Sequence, residues 1–227
     1  MDLLIETVDG YSLTLSQTGL SSGIGGVAWD CGLVLSRLLL VPEFTDRIRA
    51  AVMARAVPQP GSESFSSMTA LELGSGTGLV GMQLAMLGCK SILTDLPGVM
   101  PQLAVNLAQN AHMLDNCSVV ADVYVWGQPP PLHHFPVHLL VMSDCLYQFE
   151  YVELLSGSLR DIFCKEGQSP LILHAYEDRN PDVWSEFLDR VGDFLAWEKV
   201  KLSDYLDEGE LPPDVCVVLM YRKDSIA

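Results

Sequence analysis

The stretch Ala70-Leu71-Glu72-Leu73-Gly74-Ser75-Gly76-Thr77-Gly78-Leu79-Val80-Gly81 decides the fold of this chain. An apolar run is followed by a glycine-rich turn and then by a helix-forming run from Val80 to Leu87. Glycine has no Cβ, so the main chain of such a turn can approach a ligand closely. The helix beyond the turn offers unpaired backbone N–H groups. The pattern therefore predicts a strand, a tight loop and a helix that together form a platform for a small charged cofactor.

Two registers fit the glycines of this loop. Residues 76–81 match G-x-G-x-x-G, the dinucleotide fingerprint, and Asp95 follows at about the expected distance of ~20 residues. In that fingerprint the first glycine follows the strand directly, whereas here Gly74 and Ser75 intervene. A dehydrogenase also needs a substrate domain, for which little chain remains. The register Glu72-x-Gly74-x-Gly76-x-Gly78 is the form common to enzymes that use S-adenosylmethionine, so we predict that cofactor, with its amino-acid end against the loop.

Composition limits the classes of protein to which the chain can belong. The chain has 227 residues, of which 49% are hydrophobic and 19% are charged. This length and composition predict one globular domain with an N-terminal extension. The net charge of −16 disfavours nucleic-acid binding and suits a basic partner or a cationic ligand, although an acidic surface also simply keeps proteins soluble. No apolar run reaches the ~20 residues of a membrane span, and the N-terminus lacks the features of a signal peptide.

Six cysteines are spread along the chain, at positions 31, 89, 117, 145, 164 and 216. They form no C-x-x-C pair and do not cluster with histidines, which argues against zinc and for a reducing compartment. We therefore expect buried thiols, no metal site, and a cytoplasmic location, with the nucleus as the alternative.

The first 67 residues predict an extension packed on the core. Residues 3–8 and 11–15 alternate apolar and polar positions across Asp9-Gly10, which indicates a β-hairpin. A flexible loop over 19–26 precedes helices over 27–40 and 43–56, and Pro58 to Ser64 predicts an exposed loop.

From residue 68 to 227 the chain alternates strands and helices. We predict strands over 69–73, 91–94, 118–123, 138–142, 170–174, 198–202 and 215–221, and helices over 79–88, 99–111, 151–163 and 181–195. This order indicates an α/β fold: a Rossmann-like, seven-stranded, mostly parallel sheet with helices on both faces. Ligands of such sheets bind at the carboxyl ends of the strands, near the switch point.

Several candidate site residues fall at those strand ends. Asp95 can accept hydrogen bonds from both ribose hydroxyls, and its alternative role is a helix cap. Trp126 can pack on the adenine, with ordinary edge packing as the alternative. Trp29 can close the cofactor from the other side, or it can pack in the core. An indole beside a sulfonium gains about 0.5–2 kcal/mol.

The stretch Ser143-Asp144-Cys145-Leu146-Tyr147 predicts the methyl-acceptor site. Asp144 and Tyr147 are three residues apart and share one side if a helical turn begins here. An acid attracts and orients an ammonium, and a phenol beside it can donate or accept a hydrogen bond. The alternative is that Asp144 caps a helix and Tyr147 belongs to the core.

These motifs together resemble the seven-strand protein-lysine methyltransferases with a D-x-x-Y motif, the methyltransferase family 16 group. The resemblance covers most of the chain and includes Gln17, Val27-Ala28-Trp29-Asp30, the stretch from Leu71 to Gly81, Thr94-Asp95-Leu96, Trp126-Gly127, Ser143 to Tyr147 and Ala175-Tyr176-Glu177-Asp178-Arg179. It implies that Trp29, Gly74, Ser75, Gly76, Asp95, Trp126 and Ser143 contact the cofactor. It places Asp144 and Tyr147 at the mouth of the acceptor site. Glu177 and Arg179 would shape its far wall, or form only a structural salt bridge.

The resulting functional prediction is S-adenosylmethionine-dependent methyl transfer to a lysine ε-amine of a protein. We expect the enzyme to be a monomer whose partner is a protein substrate with a basic segment around the lysine. We expect it to bind neither nucleic acid nor membrane. Asp144 is assigned to orienting the lysine more than to base catalysis, because its negative charge raises the pKa of a nearby ammonium. The alternatives are a protein histidine or a small molecule as acceptor, or an inactive cofactor-binding scaffold; an oxidoreductase is a more distant alternative.

Overall fold

The computed structural model describes residues 2–7, 10–19, 24–55, 64–165, 169–207, 209 and 211–223. The predicted loop from Pro58 to Ser64 lies outside these residues except for Ser64, and so does Asp9 of the predicted hairpin turn. Among the described residues, no helix is long and apolar enough to cross a membrane.

The N-terminal hairpin consists of β1 (Asp2–Glu6) and β2 (Ser12–Ser16), paired antiparallel as predicted. Two asparagines attach the hairpin to the core. Asn106 lies within helix α4 (Met100–Gln109), and Asn110 is the C-cap residue of that helix. The side-chain oxygens of Asn106 and Asn110 accept hydrogen bonds from the backbone N–H groups of Ser16 and Thr14, both at 2.8 Å. Asn106 also donates to the carbonyl of Thr77 at 2.9 Å, so the same buried side chain connects the hairpin to the glycine loop.

A seven-stranded sheet forms the core and confirms the predicted fold class. Its order is β5-β4-β3-β6-β7-β9-β8, and β9 runs antiparallel to both of its neighbours. The strands are β3 (Thr69–Leu73), β4 (Lys90–Asp95), β5 (Val119–Val123), β6 (Leu139–Ser143), β7 (Leu171–Glu177), β8 (Leu195–Lys199) and β9 (Val215–Arg222). The strand order reverses between β3 and β6, which is the switch point where ligands bind in such sheets.

Helices cover both faces of the sheet. The remaining helices are α1 (Asp30–Leu38), α2 (Pro42–Met53), α3 (Leu79–Met86), α5 (Ala111–Leu114), α6 (Phe149–Phe163) and α7 (Pro181–Val191). Alternate residues of β6 show the two layers. Leu139 and Val141 pack in a cluster with α1 and α2, whereas Leu140 and Met142 pack in a cluster with α6 and α7. A strand buried on both faces has this near-continuous apolar sequence.

Two predicted boundaries are wrong in an informative way. The helix predicted over 181–195 ends at Val191, and β8 begins at Leu195 rather than at residue 198. Leu195 lies four residues after Val191, so its apolar side chain continues the helical spacing although it belongs to the next strand. Residues 202–204 form a short 3-10 helix instead of the end of the strand.

The first long helix also begins later than predicted. Asp30 is its first residue, and Trp29 precedes it with extended backbone angles of −82° and 159°. The segment from Val27 to Trp29 is therefore not helical, and all three of its residues line a cavity.

Candidate active site

One cavity of about 540 Å³ opens at the carboxyl ends of the strands around the switch point. Ten of the eleven site residues predicted from the sequence contribute to its lining: Trp29, Glu72, Gly74, Ser75, Gly76, Asp95, Trp126, Ser143, Asp144 and Tyr147. These residues come from β3, β4 and β6 and from the segments before α1 and after β5. The sheet therefore collects into one place residues that are far apart in the sequence.

The glycine loop exposes its main chain to this cavity. Gly74 and Gly76 have φ angles of +68° and +52°, in the left-handed region that favours glycine. A Cβ on Gly74 would lie 3.3 Å from a ring atom of Trp126, and a Cβ on Gly76 would lie 3.2 Å from the carbonyl oxygen of Gly25. A side chain at either position would therefore press against a neighbouring wall.

Gly78 does not line the cavity, in contrast to the role expected for it. Its φ is +83°, and an added Cβ would lie 2.5 Å from Leu103 Cδ1 and 3.0 Å from Leu93 Cδ2. The structure therefore gives this glycine a packing role at the start of α3.

Glu72 is a buried acid beside the loop. Its Oε2 accepts a hydrogen bond from the backbone N–H of Gly81 at 3.1 Å, and only 2% of the residue is exposed. Burial raises the pKa of Glu72 to about 8, even though hydrogen bonds from Ser75 and Gly81 favour the charged form. A cationic group in the cavity would stabilise the carboxylate and be attracted by it.

Asp95 stands at the end of β4 and binds the loop itself. Its Oδ2 accepts from the backbone N–H of Gly76 at 2.7 Å, and its Oδ1 accepts from that of Leu96 at 2.7 Å. The residue that caps α4 is Val99, so the structure does not use Asp95 as a helix cap. Burial raises the pKa of Asp95, while the two backbone hydrogen bonds lower it. A carboxylate oxygen has two lone pairs, so both oxygens can accept further hydrogen bonds from a ligand.

Aromatic rings form the walls of the cavity. The indole N–H of Trp29 donates to the carbonyl of Ile24 at 3.0 Å, which fixes the ring. Trp126 meets Tyr151 edge-on at a centroid distance of 6.4 Å, and Tyr151 lies 5.2 Å from Tyr147. Such rings can pack on an adenine or attract a cation.

Asp144 has an unusual backbone conformation. Among the residues that the structure describes, it is the one non-glycine residue with a left-handed φ, at +55°. Its backbone N–H donates to the carbonyl of Ala175 at 2.9 Å, which holds it against β7. Left-handed backbone on a residue with a Cβ costs on the order of 1 kcal/mol and is concentrated at functional sites.

The helical turn that would place Asp144 and Tyr147 on one side is absent, because α6 begins only at Phe149. Asp144 and Tyr147 nevertheless line the same cavity. The alternative role of Asp144 as a helix cap does not hold, since Gln148 occupies the cap position of α6.

Arg179 links the two sides of this site. Its guanidinium donates to both carboxylate oxygens of Asp144, at 3.3 and 3.2 Å, and also to Glu177. It lies over the ring of Trp29, with Cζ 5.5 Å from the centroid. The salt bridge proposed as an alternative for Glu177 and Arg179 is therefore present, and neither residue lines the cavity.

The charge balance of this cluster is negative. Burial raises the pKa of Asp144, the charge and hydrogen bonds of Arg179 lower it, and Glu177 raises it again. Two carboxylates share one guanidinium, so an ionised cluster keeps one net negative charge near the cavity.

Sequence reasoning missed several lining residues, among them Gly25, Tyr124, Tyr151 and Leu154. Tyr151 lies four residues after Tyr147, but its position next to the cavity depends on where α6 begins. Gly25 faces Gly76 across the cavity only because the N-terminal segment folds back onto the loop.

This fold places the chain in the class of Rossmann-like α/β proteins that bind a ligand at the switch point of the sheet. The crystal structure of SMU.776 complexed with SAH shares the fold, with a TM-score of 0.55 and 15% sequence identity over 97% of this chain and 56% of that chain.

The chain belongs to the lysine methyltransferase family, whose model matches residues 7–194. The family assignment made from the motifs is thereby confirmed. Among curated relatives, the protein-lysine N-methyltransferase rrg1 of Schizosaccharomyces pombe is 34% identical, over 45% of this chain and 37% of that protein. The protein-lysine N-methyltransferase EFM6 of Saccharomyces cerevisiae is 30% identical, over 74% of this chain and 70% of that protein. The match thus spans little more than a third of the first relative's length and about two thirds of the second's.

S-adenosylmethionine is the methyl donor that this family implies, and the cavity fits it. The observations that support the fit are a glycine main chain without Cβ atoms, a buried acid at Glu72, a second acid at Asp95, and indole rings on two walls. A sulfonium, an amino-acid group, a ribose and an adenine each find a partner of matching chemistry in this set.

Proposed function

We propose that this chain transfers a methyl group from S-adenosylmethionine to the ε-amine of a lysine in a protein. The observation that carries the proposal is that one cavity joins the glycine loop and Asp95 to Asp144 and Tyr147. Membership of the lysine methyltransferase family supports lysine as the acceptor.

Residues of two kinds would hold the cofactor. The main chain from Gly74 to Gly76, together with Glu72, would receive its amino-acid end, and Asp95 would accept hydrogen bonds from its ribose. Trp29, Trp126 and Ser143 would form the walls around it. When bound, the cofactor supplies an electrophilic methyl group on a positively charged sulfur.

The net negative cluster of Asp144, Glu177 and Arg179 would attract and orient the lysine ammonium. Arg179 already occupies both oxygens of Asp144, so this carboxylate is held in place rather than free to act as a mobile base. A protein accelerates such a reaction largely by holding the reacting groups in position, here with the lysine nitrogen in line with the methyl group and the sulfur.

The lysine must lose a proton before its nitrogen has a lone pair, and its reference pKa is about 10.4. Burial among Tyr147, Tyr151 and Trp126 would lower this pKa, because the charged form loses hydration. In this proposal water at the cavity mouth takes the proton, and the aromatic rings exclude other water from the reacting atoms.

The proposed substrate is a lysine in a basic or flexible segment of a protein. The net charge of −16 favours association with a positively charged surface and disfavours nucleic acid. All six cysteines are free thiols, which favours a reducing compartment, the cytoplasm or the nucleus.

The test is to incubate the purified chain with a cell extract and S-adenosylmethionine that carries a deuterated methyl group. Mass spectrometry should locate the label on lysine side chains of protein. The rate of labelling should fall at least about a hundredfold with the Asp144→Asn variant. It should be unchanged with Asp182→Asn, a matched change at an exposed acid of α7.

Label on histidine or on small molecules alone would overturn the choice of acceptor. Cofactor binding in calorimetry without transfer to any component of the extract would favour a non-catalytic scaffold instead.

A further inference from the structure

Three side chains outside the cavity converge on one point at the edge of the sheet. Asp122 lies on the edge strand β5, and His133 and His134 lie on a short 3-10 helix over Leu132–His134. This helix belongs to a proline-rich loop over 129–136, with prolines at 129, 130, 131 and 136. Twelve residues separate Asp122 from His134, so no spacing rule for metal ligands identifies the group in the sequence. The prediction of no metal site considered only cysteines and their neighbours.

The geometry is that of a ligand set. The Nε2 atoms of His134 and His133 lie 2.8 and 3.0 Å from the same carboxylate oxygen, Oδ2 of Asp122. The two imidazole rings lie side by side, with centroids 3.9 Å apart. One donor atom from each of the three residues lies within 4.8 Å of the other two.

These distances fit a tetrahedral metal ion with little rearrangement. Zinc binds imidazole nitrogen and carboxylate oxygen at about 2.0–2.2 Å, so two ligand atoms of one tetrahedral ion are roughly 3.3 Å apart. The two nitrogen–oxygen distances need to open by only a few tenths of an ångström. Imidazole and carboxylate are also the ligand types that suit zinc and its neighbours among the divalent transition metals.

The burial of the three residues leaves a route for the ion. The His134 side chain is 7% exposed, that of Asp122 is 31% exposed, and that of His133 is 68% exposed. Two ligands are thus held by the fold, while the third faces solvent. A fourth position on that side can be filled by water, as in three-ligand zinc sites.

We propose that Asp122, His133 and His134 bind one divalent transition-metal ion, for which zinc is the probe, and that the ion fastens the proline-rich loop to strand β5. Asp122 is followed two residues later by Tyr124, which lines the active-site cavity together with Val125 and Trp126. The ion would therefore hold the loop next to the wall that carries Trp126. The inference does not depend on the methyl-transfer reaction.

Calorimetric titration of zinc into tag-free, chelator-treated protein tests this directly. The wild type should bind one equivalent. His133→Ala and Asp122→Asn should each weaken binding by at least roughly tenfold, because each removes a ligand. His112→Ala changes an exposed histidine elsewhere in the chain and should leave the affinity unchanged.

Thermal melting provides a second readout, since an ion that binds only the folded state raises the melting temperature. Zinc should raise it for the wild type and for His112→Ala but not for His133→Ala. His133 is exposed, so its removal leaves the packing of the loop intact. Equal zinc affinity in the wild type, His133→Ala and Asp122→Asn would overturn the proposal, and so would a wild type that binds no zinc.

Discussion

The two halves of the active-site cavity are built in different ways. The half that we propose for the cofactor, the loop from Glu72 to Gly76 with Asp95, comes from two adjacent strands, and its cavity-facing surface is mostly main chain. The half that we propose for the acceptor consists of cavity residues between 144 and 151, and Arg179 and Glu177 support it from outside the cavity lining. It depends on charged and aromatic side chains from the ends of two strands and from α6. We therefore expect a substitution that adds atoms to impair the half built from main chain. In the half built from side chains, we expect a substitution that removes a charge to have the larger effect.

A buried acid in each half shows the same contrast. Glu72 receives hydrogen bonds from Ser75 and from the backbone of Gly81, and burial raises its pKa to about 8. Asp144 is paired with Arg179, whose charge lowers the pKa of the carboxyl against the effect of burial. Burial raises the pKa of both acids, but only Asp144 has a cationic partner, Arg179, that offsets part of this rise.

The largest expected effect is in the acceptor half, from Asp144→Asn. We expect turnover of a lysine peptide to fall about 10²–10³-fold, the usual cost of deleting one preorganised electrostatic group. Asparagine also tolerates a left-handed backbone, so the fold should be retained. Steady-state kinetics measures the loss, and Asp182→Asn is the control. Unchanged turnover in Asp144→Asn would show that the acceptor half does not work through this charge.

The buried acid of the cofactor half should make stability depend on pH. The pKa of Glu72 rises from 4.5 to about 8 on folding, so the protonated form is favoured in the native state. The associated stability is present below pH 4.5 and is lost as pH rises through 8. Between pH 5 and 9 the loss should be roughly 4 kcal/mol.

Urea unfolding of the wild type and of Glu72→Gln across this pH range measures that loss. The variant should lack this part of the pH dependence, whereas Glu43→Gln, at an exposed position of α2, should retain it. Identical pH profiles for the wild type and Glu72→Gln would contradict the claim that folding raises the pKa of Glu72.

A smaller effect should follow from adding one carbon atom to the cofactor half. Gly76→Ala places a Cβ 3.2 Å from the carbonyl oxygen of Gly25 at a φ of +52°, so the main chain must shift. We expect the dissociation constant for S-adenosylmethionine to rise about tenfold, or ~1.4 kcal/mol. Gly98→Ala also adds a methyl group at the cavity, but no atom lies within 4 Å of it, so it should bind the cofactor normally. Equal affinities of the two variants would contradict a backbone-built cofactor half.

The sequence predicted the cofactor half more completely than the acceptor half. The cofactor half follows from local rules, because glycine spacing after a strand and an acid at the end of the next strand are close together in the chain. The sequence placed Asp144 and Tyr147 at one proposed site, and both line the same cavity, but it did not give their geometry. No helical turn begins at Asp144, and its pairing with Arg179 joins residues that are 35 apart in the chain. Contacts between distant segments, such as Gly25 with Gly76, carry no local signal in a single sequence.

The most direct test of the two-halved cavity is calorimetric titration of S-adenosylmethionine into the wild type, Asp95→Asn and Asp144→Asn. The wild type should bind one equivalent. Asp95→Asn should bind at least about tenfold more weakly, because it loses charge-assisted hydrogen bonds in the cofactor half. Asp144→Asn should stay within about twofold of the wild type. A wild type that does not bind, or an equal loss of affinity in both variants, would contradict the account.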